Sequence, residues 1–380
     1  MNRTAAAASV ISIFLFSLVA EMSPASGAEN SWVTKTSMQV SRTGAGTAAV
    51  NGIVYIMGGS QRYNVTGNEF SYRSINATEA YNPMTDVWSQ KAPMPTSRDS
   101  FGAAAYQNRI FCIGGKSASK IEATNCTGVN EVYDTETNSW ETKNPMPTPR
   151  YGLQANEVDG KIYLIGGWIQ PESSTISESS KKVEIYDPAT DTWSNGSQIP
   201  IAVAGYSSAI VDGKIYVISG VASGSVKTNL TQVYDPETDK WSSGVPIPMS
   251  VSSAAAGAVT GADVAKAIYV IGGSNATYPL NGQFANQVFF PETNSWAAAA
   301  PMPVDRAGLA LAVINETIFV MGGGHNIFTQ DSAVVMQYTP LTNPITQNEP
   351  FPIIAVFVAT LVVVAVVAIC VLIYSKKLKR

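Results

Sequence analysis

The sequence predicts an all-β chain of six repeated four-stranded units, preceded by a leader and followed by one apolar helix. Three observations predict it. An aromatic residue followed three positions later by a Gly pair recurs every 50 to 56 residues. A Tyr or Phe stands seven residues before a Trp in five of the units. Between these marks, short apolar runs alternate with tight-turn pairs such as Asn51-Gly52, Asp159-Gly160 and Asp212-Gly213, the spacing of antiparallel hairpins.

The elements follow in chain order. Arg3, an apolar stretch over residues 5–20 and the small residues Ser26-Gly27-Ala28 read as a signal peptide covering residues 1–28. Residues 29–345 carry the repeats. The Gly-pair mark appears as Tyr55 with Gly58-Gly59, Phe111 with Gly114-Gly115, Tyr163 with Gly166-Gly167, Tyr269 with Gly272-Gly273 and Phe319 with Gly322-Gly323. Tyr216 with Ser219-Gly220 is a sixth, imperfect copy. The second mark joins Tyr81 to Trp88, Tyr133 to Trp140, Tyr186 to Trp193, Tyr234 to Trp241 and Phe289 to Trp296. Strings such as Asp187-Pro188-Ala189-Thr190-Asp191 lie between, with Pro and Asp where a turn wants them. A third mark is an Arg 16 residues before the Gly pair, at Arg42, Arg98, Arg150 and Arg306; the same slot is Val203 in the fourth unit, and in the fifth it falls on Val251.

These marks resemble the kelch repeat, an apolar strand ending in Gly-Gly followed by spaced Tyr and Trp. The resemblance implies a single six-bladed β-propeller. Trp32 precedes the first Gly pair, while the last unit has Ile345 where its Trp would fall. The repeat is therefore circularly permuted, and residues 31–40 are expected to supply the outer strand of the last blade beside Tyr338. Ring closure of this kind removes exposed strand edges.

Beyond a linker at 346–352, residues 353–374 form an uncharged apolar run long enough to cross a bilayer as a helix, followed by Lys376, Lys377, Lys379 and Arg380 in a tail of residues 375–380. The basic end is expected in the cytoplasm and the propeller outside, as a single-pass membrane protein. Seven Asn-x-Ser/Thr triplets, from Asn64 to Asn315, fit glycosylation there.

Composition excludes several classes of function. One His and three Cys offer no metal cluster, so neither a metal nor another cofactor is expected. Residues 29–351 hold 19 basic and 27 acidic residues, which argues against a nucleic-acid partner. The predicted innermost strands begin at Gly44, Ser100, Gly152, Gly205, Ser253 and Ala307. They present Gly, Ala, Ser and apolar residues, with Glu157 the one acid among them. No acid–base pair is expected in the channel.

A binding module is therefore the leading reading, with an extracellular protein or glycan as partner. The connections between second and third strands differ most between units and carry Arg62, Tyr63, Tyr72, Trp168, Tyr278, His325 and Phe328, aromatics and Arg of the kind that anchor interfaces. The four slot arginines admit two readings: a ring of cations at one channel mouth, or pairing between blades with acids such as Asp99 and Asp305. The alternative function rests on resemblance to the sialic-acid mutarotases, exported six-bladed kelch propellers, with Glu157 and Arg150 as candidates for a mutarotase or epimerase-like enzyme. Cys112 and Cys126 fall in one blade and could pair.

Overall fold

The computed structural model describes residues 28–64, 70–118, 124–170, 177–261, 264–275, 283–325 and 331–341. The predicted signal peptide up to residue 27, the linker, membrane helix and tail, together with Tyr278 and Phe328, lie outside the described residues. Among those residues no helix is long and apolar enough to cross a membrane.

Six four-stranded antiparallel sheets succeed one another as blades, each ordered from the innermost to the outermost strand. The innermost strands are Gly46–Val50, Gly102–Tyr106, Ala155–Val158, Ser207–Val211, Ala255–Val259 and Ala307–Ile314. In the first five blades these strands begin two or three residues later than the sequence suggested. The reason is a belt of six residues with left-handed backbone: Gly44, Ser100, Gly152, Gly205, Ser253 and Gly308, with φ between 55° and 67°. Each belt residue donates its N–H to the carbonyl of the preceding one, and Gly44 donates to Gly308, so six hydrogen bonds of 2.7–2.8 Å close a ring around the channel. The left-handed conformation favours Gly, and four of the six positions hold it.

The Gly pairs are set by close approach. A Cβ on Gly58 would lie 2.6 Å from the Arg98 carbonyl oxygen, and Gly59, at φ 97°, donates its N–H to that same oxygen. The pair thus lets one blade's backbone lie directly on the next.

At the rim, the Tyr and Trp marks belong to a clamp repeated six times. In each blade the Trp indole N–H donates to the carbonyl of one residue in the preceding blade: Trp88 to Thr36, Trp140 to Ala92, Trp193 to Asn144, Trp241 to Ser197, Trp296 to Val245 and Trp32 to Ala300. An Asp or Asn two residues before that Trp accepts the N–H of the same residue, through Asp86, Asn138, Asp191, Asp239, Asn294 and Asn30. All six acceptors sit at positive φ, which Asn and Asp tolerate better than other side-chain-bearing residues. Five of them also accept the hydroxyl of their blade's Tyr; the fifth blade has Phe289 there.

Closure of the ring uses the same parts. The strand Ser31–Lys35 pairs antiparallel with Val335–Thr339, and its Trp32 packs on Tyr338 with ring centres 4.9 Å apart and planes tilted by 41°. Trp32 and Asn30 together supply the sixth clamp from the opposite end of the chain, as the permuted count of Trp required.

The clamp predicts an acid dependence. Hydrogen bonds from Tyr234 and from the Ser197 N–H and hydroxyl hold the Asp239 carboxyl below its ordinary value. A carboxyl depressed by folding contributes stability above its unfolded pKa and loses it as pH falls through the folded value. The thermal midpoint is therefore expected to fall below about pH 4. Asp239→Asn, which places the second and fifth blades' residue in the fourth, should fold normally at neutral pH and flatten that fall. An unchanged acid slope in the variant would remove Asp239 from the account.

Candidate functional site

Both kinds of connection that reach one face of the disc are joined by backbone pairing. Thr43 bridges Ser60, Asp99 bridges Lys116, Tyr151 bridges Trp168 and Ala204 bridges Val221, so the fourth-to-first and second-to-third strand connections lie side by side. The latter are not plain loops. Four of them form two-stranded ribbons, pairing Ser60–Asn64 with Phe70–Ser74, Lys116–Ala118 with Thr124–Cys126, Trp168–Ile169 with Glu178–Ser179, and Val221–Ala222 with Val226–Lys227.

The slot arginines hold the necks of these connections. Arg98 Nη1 donates to the carbonyls of Gly114 and Val129, both at 2.9 Å, one at each end of the second ribbon. Arg42, Arg150 and Arg306 repeat this with Gly58 and Ala77, Gly166 and Lys182, and Gly322 and Val334. Arg42, Arg98 and Arg150 are fully buried and ion-paired to Glu79, Glu131 and Glu184, the last two pairs at 3.0 and 2.9 Å. Burial pulls all three guanidinium groups below their ordinary pKa against the opposing pull of those carboxylates.

The arginines therefore do not ring the channel mouth as free cations, nor are these three paired with Asp99 or Asp305; each pairs with an acid of its own blade. That acid stands two residues before the Tyr mark. Arg306 differs: Met336 occupies the equivalent position, and burial brings its guanidinium down to about 10, offset only by the nearby Asp305 charge.

Asp99 accepts from the Ser74 and Ser100 hydroxyls at 2.8 and 2.9 Å and lies 3.8 Å from Lys116 Nζ. Asp305 lies 2.5 Å from His325 Nδ1, leaving the imidazole more than half exposed. Tyr63 is partly buried, with the exposed Arg73 guanidinium 5.8 Å from its ring. Arg62 donates its backbone N–H to Asp331 at 2.5 Å, and Tyr72 lies within the field of both charges, its hydroxyl raised by burial first and by Asp331 second. Lys116 Nζ stands 5.3 Å from the Tyr151 ring centre. Trp168 lies over Gly152, where a Cβ would meet its ring at 2.8 Å.

Between these ribbons opens a cavity of about 430 Å³ lined by the belt and the starts of the innermost strands. Its polar walls include Asp99, Lys116, Gln154 and a pair the sequence reading passed over, Asn156 accepting from the Ser208 hydroxyl at 2.7 Å. Glu157 is not on its wall; its carboxylate accepts the N–H of Gly160 in the turn of the other face. Arg150 is committed to Glu184, so the two groups named for an enzyme are not brought together. Cys112 and Cys126 are both free thiols: Cys112 pairs in register with Glu131 inside the blade, and Cys126 with Lys116 on the ribbon. Among the described residues no group of three or more His, Cys, Asp or Glu is placed to hold a metal.

The family model described as the KLHDC2/KLHL20/DRC7 Kelch-repeats domain matches residues 104–323, and a Kelch motif model matches residues 41–95. The chain belongs to the kelch-repeat family. Among curated relatives, this kelch propeller is 26% identical over 291 residues to Kelch-like protein 15 of Danio rerio, covering 73% of this chain and 38% of that protein. It is also 26% identical over 312 residues to Kelch-like protein terF of Aspergillus terreus, covering 81% of this chain and 66% of that protein. The chain thus spans well under half of the first relative's length. A solved structure titled "Structure of YjhT" superposes on the kelch propeller with a TM-score of 0.64 at 18% identity, over 80% of this chain and 96% of that one, which shows a shared fold.

Proposed function

We propose that this kelch propeller is a non-catalytic binding module, held outside the membrane by residues 353–374, that engages a protein or glycan through its ribbon-bearing face. The observation that carries the reading is the convergence on one face of four ribbons whose necks are fixed by the backbone bridges and, in the first three, by buried arginines. The partly buried Tyr63, Tyr72 and Trp168 and the exposed His325 belong to these connections, on the face where the polar cavity opens. Rigid aromatics on a fixed scaffold lose little conformational freedom on binding and make effective anchors. Arg62 joins them, while Arg42, Arg98, Arg150 and Arg306 act from beneath by holding the connections in place. Glu157 and Arg150, the two groups named for sugar chemistry, are engaged apart from each other, which supports binding over that reading.

The test is affinity capture with the tagged full chain displayed on intact cells. Tyr63→Ala with Tyr72→Ala and Trp168→Ala is expected to reduce capture at least tenfold, at roughly 1 kcal/mol or more per anchor. Met84→Ser with Glu237→Ala, at exposed turns of the opposite face, should leave it unchanged. Capture lost only in the opposite-face variant would move the interface, and turnover of a sugar substrate abolished by Glu157→Gln would replace binding with catalysis. Protection of the propeller from protease on intact cells would reverse the topology.

A further inference from the structure

The slot beneath the ribbons is solved in three ways around the ring, and only two of them balance. In the first three blades an Arg meets a Glu. In the fourth and fifth, Val203 and Val251 replace the Arg and Gln232 and Gln287 replace the Glu. The Gln232 amide then accepts the N–H of Ile201 at 2.9 Å and donates to its carbonyl at 3.1 Å, and Gln287 does the same with Met249 at 2.9 and 3.0 Å. Charge and hydrogen bonds are complete in both arrangements.

The sixth blade keeps the cation and omits the acid. Arg306 is 3% exposed, and its Nη1 is used on the two neck carbonyls. Its Nη2, which meets a Glu in the first three blades, has no acceptor among the described residues. Met336 fills the acid's register position with a flexible thioether, a weak acceptor that carries no charge. The N–H of Val304 stands two residues before Arg306, as Ile201 and Met249 stand before their Val, and it too has no acceptor among the described residues. Asp305, the nearest acid, faces His325 and makes no ion pair with Arg306. This edge is reachable: Val304 is 44% exposed, and no atom of the Arg306 guanidinium is both sealed and unpartnered, as the Nε atoms of Arg98 and Arg150 are.

A guanidinium and an adjacent N–H form a fork suited to a carboxylate, and leaving such a charge buried and unpaired is costly. We propose that the sixth blade binds a carboxylate supplied from outside the chain, held between Arg306 Nη2 and the Val304 N–H in place of the Glu that the first three blades provide for themselves. The site does not depend on the partner-binding reading above.

The full chain, labelled with nitrogen-15, is titrated at constant ionic strength with acetate in one arm and with capped Gly-Glu-Gly in the other; chloride and capped Gly-Gln-Gly serve as controls. Saturable shifts of the Val304 amide and Arg306 Nε–H signals are expected, with acetate alone pointing to a free acid and the Glu peptide to an acidic side chain. Met336→Glu should abolish them and raise the melting temperature, and Met336→Gln should weaken them at least tenfold. Signals that move equally with chloride, fail to saturate, or respond undiminished in both Met336 variants would overturn the site.

Discussion

A chain lacking residues 29–35 is expected to lose its monomeric, cooperatively folding state and to elute as oligomer or aggregate. The deletion removes the outer strand Ser31–Lys35, and with it Trp32 and Asn30. That leaves Val335–Thr339 as an open edge and Ala300 without its clamp. Unpaired edges recruit other chains, and the indole and the Tyr338 ring packed against it lose their contact in the same step. Size-exclusion chromatography with thermal unfolding measures both consequences. Elution as a monomer with an unchanged melting temperature would show that the ring is held shut by the blade interfaces alone. A milder version, Trp32→Phe, keeps the ring packing but removes the indole N–H, and should cost about 1 kcal/mol.

The second large effect concerns the buried pairs. Glu131→Ala leaves the Arg98 guanidinium buried beside Phe101, Cys112 and the neck of the second ribbon with no counter-charge. The expected loss is about 3–5 kcal/mol in denaturant unfolding. Arg98→Val combined with Glu131→Gln installs the arrangement found in the fourth and fifth blades and should recover most of it. The two changes together should thus cost less than Glu131→Ala alone. Full additivity of the single changes in a double-mutant cycle would mean that the pair is not coupled.

Much of the architecture was legible because it repeats. Five Gly pairs and the imperfect Ser219-Gly220 copy fixed the blade count, and the misplaced Trp32 disclosed the permutation, since a mark absent at one end and surplus at the other has one cyclic solution. The site was read less well, for identifiable reasons. The Glu partners stood in plain view two residues before Tyr81, Tyr133 and Tyr186, and Gln stands there in the two units that lack the Arg. Reading the Arg column beside that column would have shown a buried pair exchanged as a unit. The belt was equally open, as Gly or Ser two residues after every slot. The ribbons were not: their pairing is local to each connection, they share no repeat, and alternation is too short in two-residue strands to register. The separation of Cys126 from Cys112 follows from the second ribbon, so it was hidden for the same reason.

The way the ring closes also fixes how the disc responds to force. The chain enters at Asn30 and leaves at Thr339, and the N–H of the first bonds the carbonyl of the second at 2.8 Å. Because the closing strands run antiparallel with Ser31 opposite Thr339, tension applied through the two flanking segments acts at one end of the pair and across it. The five residue pairs of that ladder are then loaded in succession, as a zipper, and not together in shear. Trp32 and Asn30 would be pulled from Ala300 early in the process, turning a closed ring into an open array whose terminal blade has a free edge. A disc tethered through both flanks would yield at the seam first, whereas one pulled by a ligand on the ribbon face against a single flank would leave the seam's two ends unopposed.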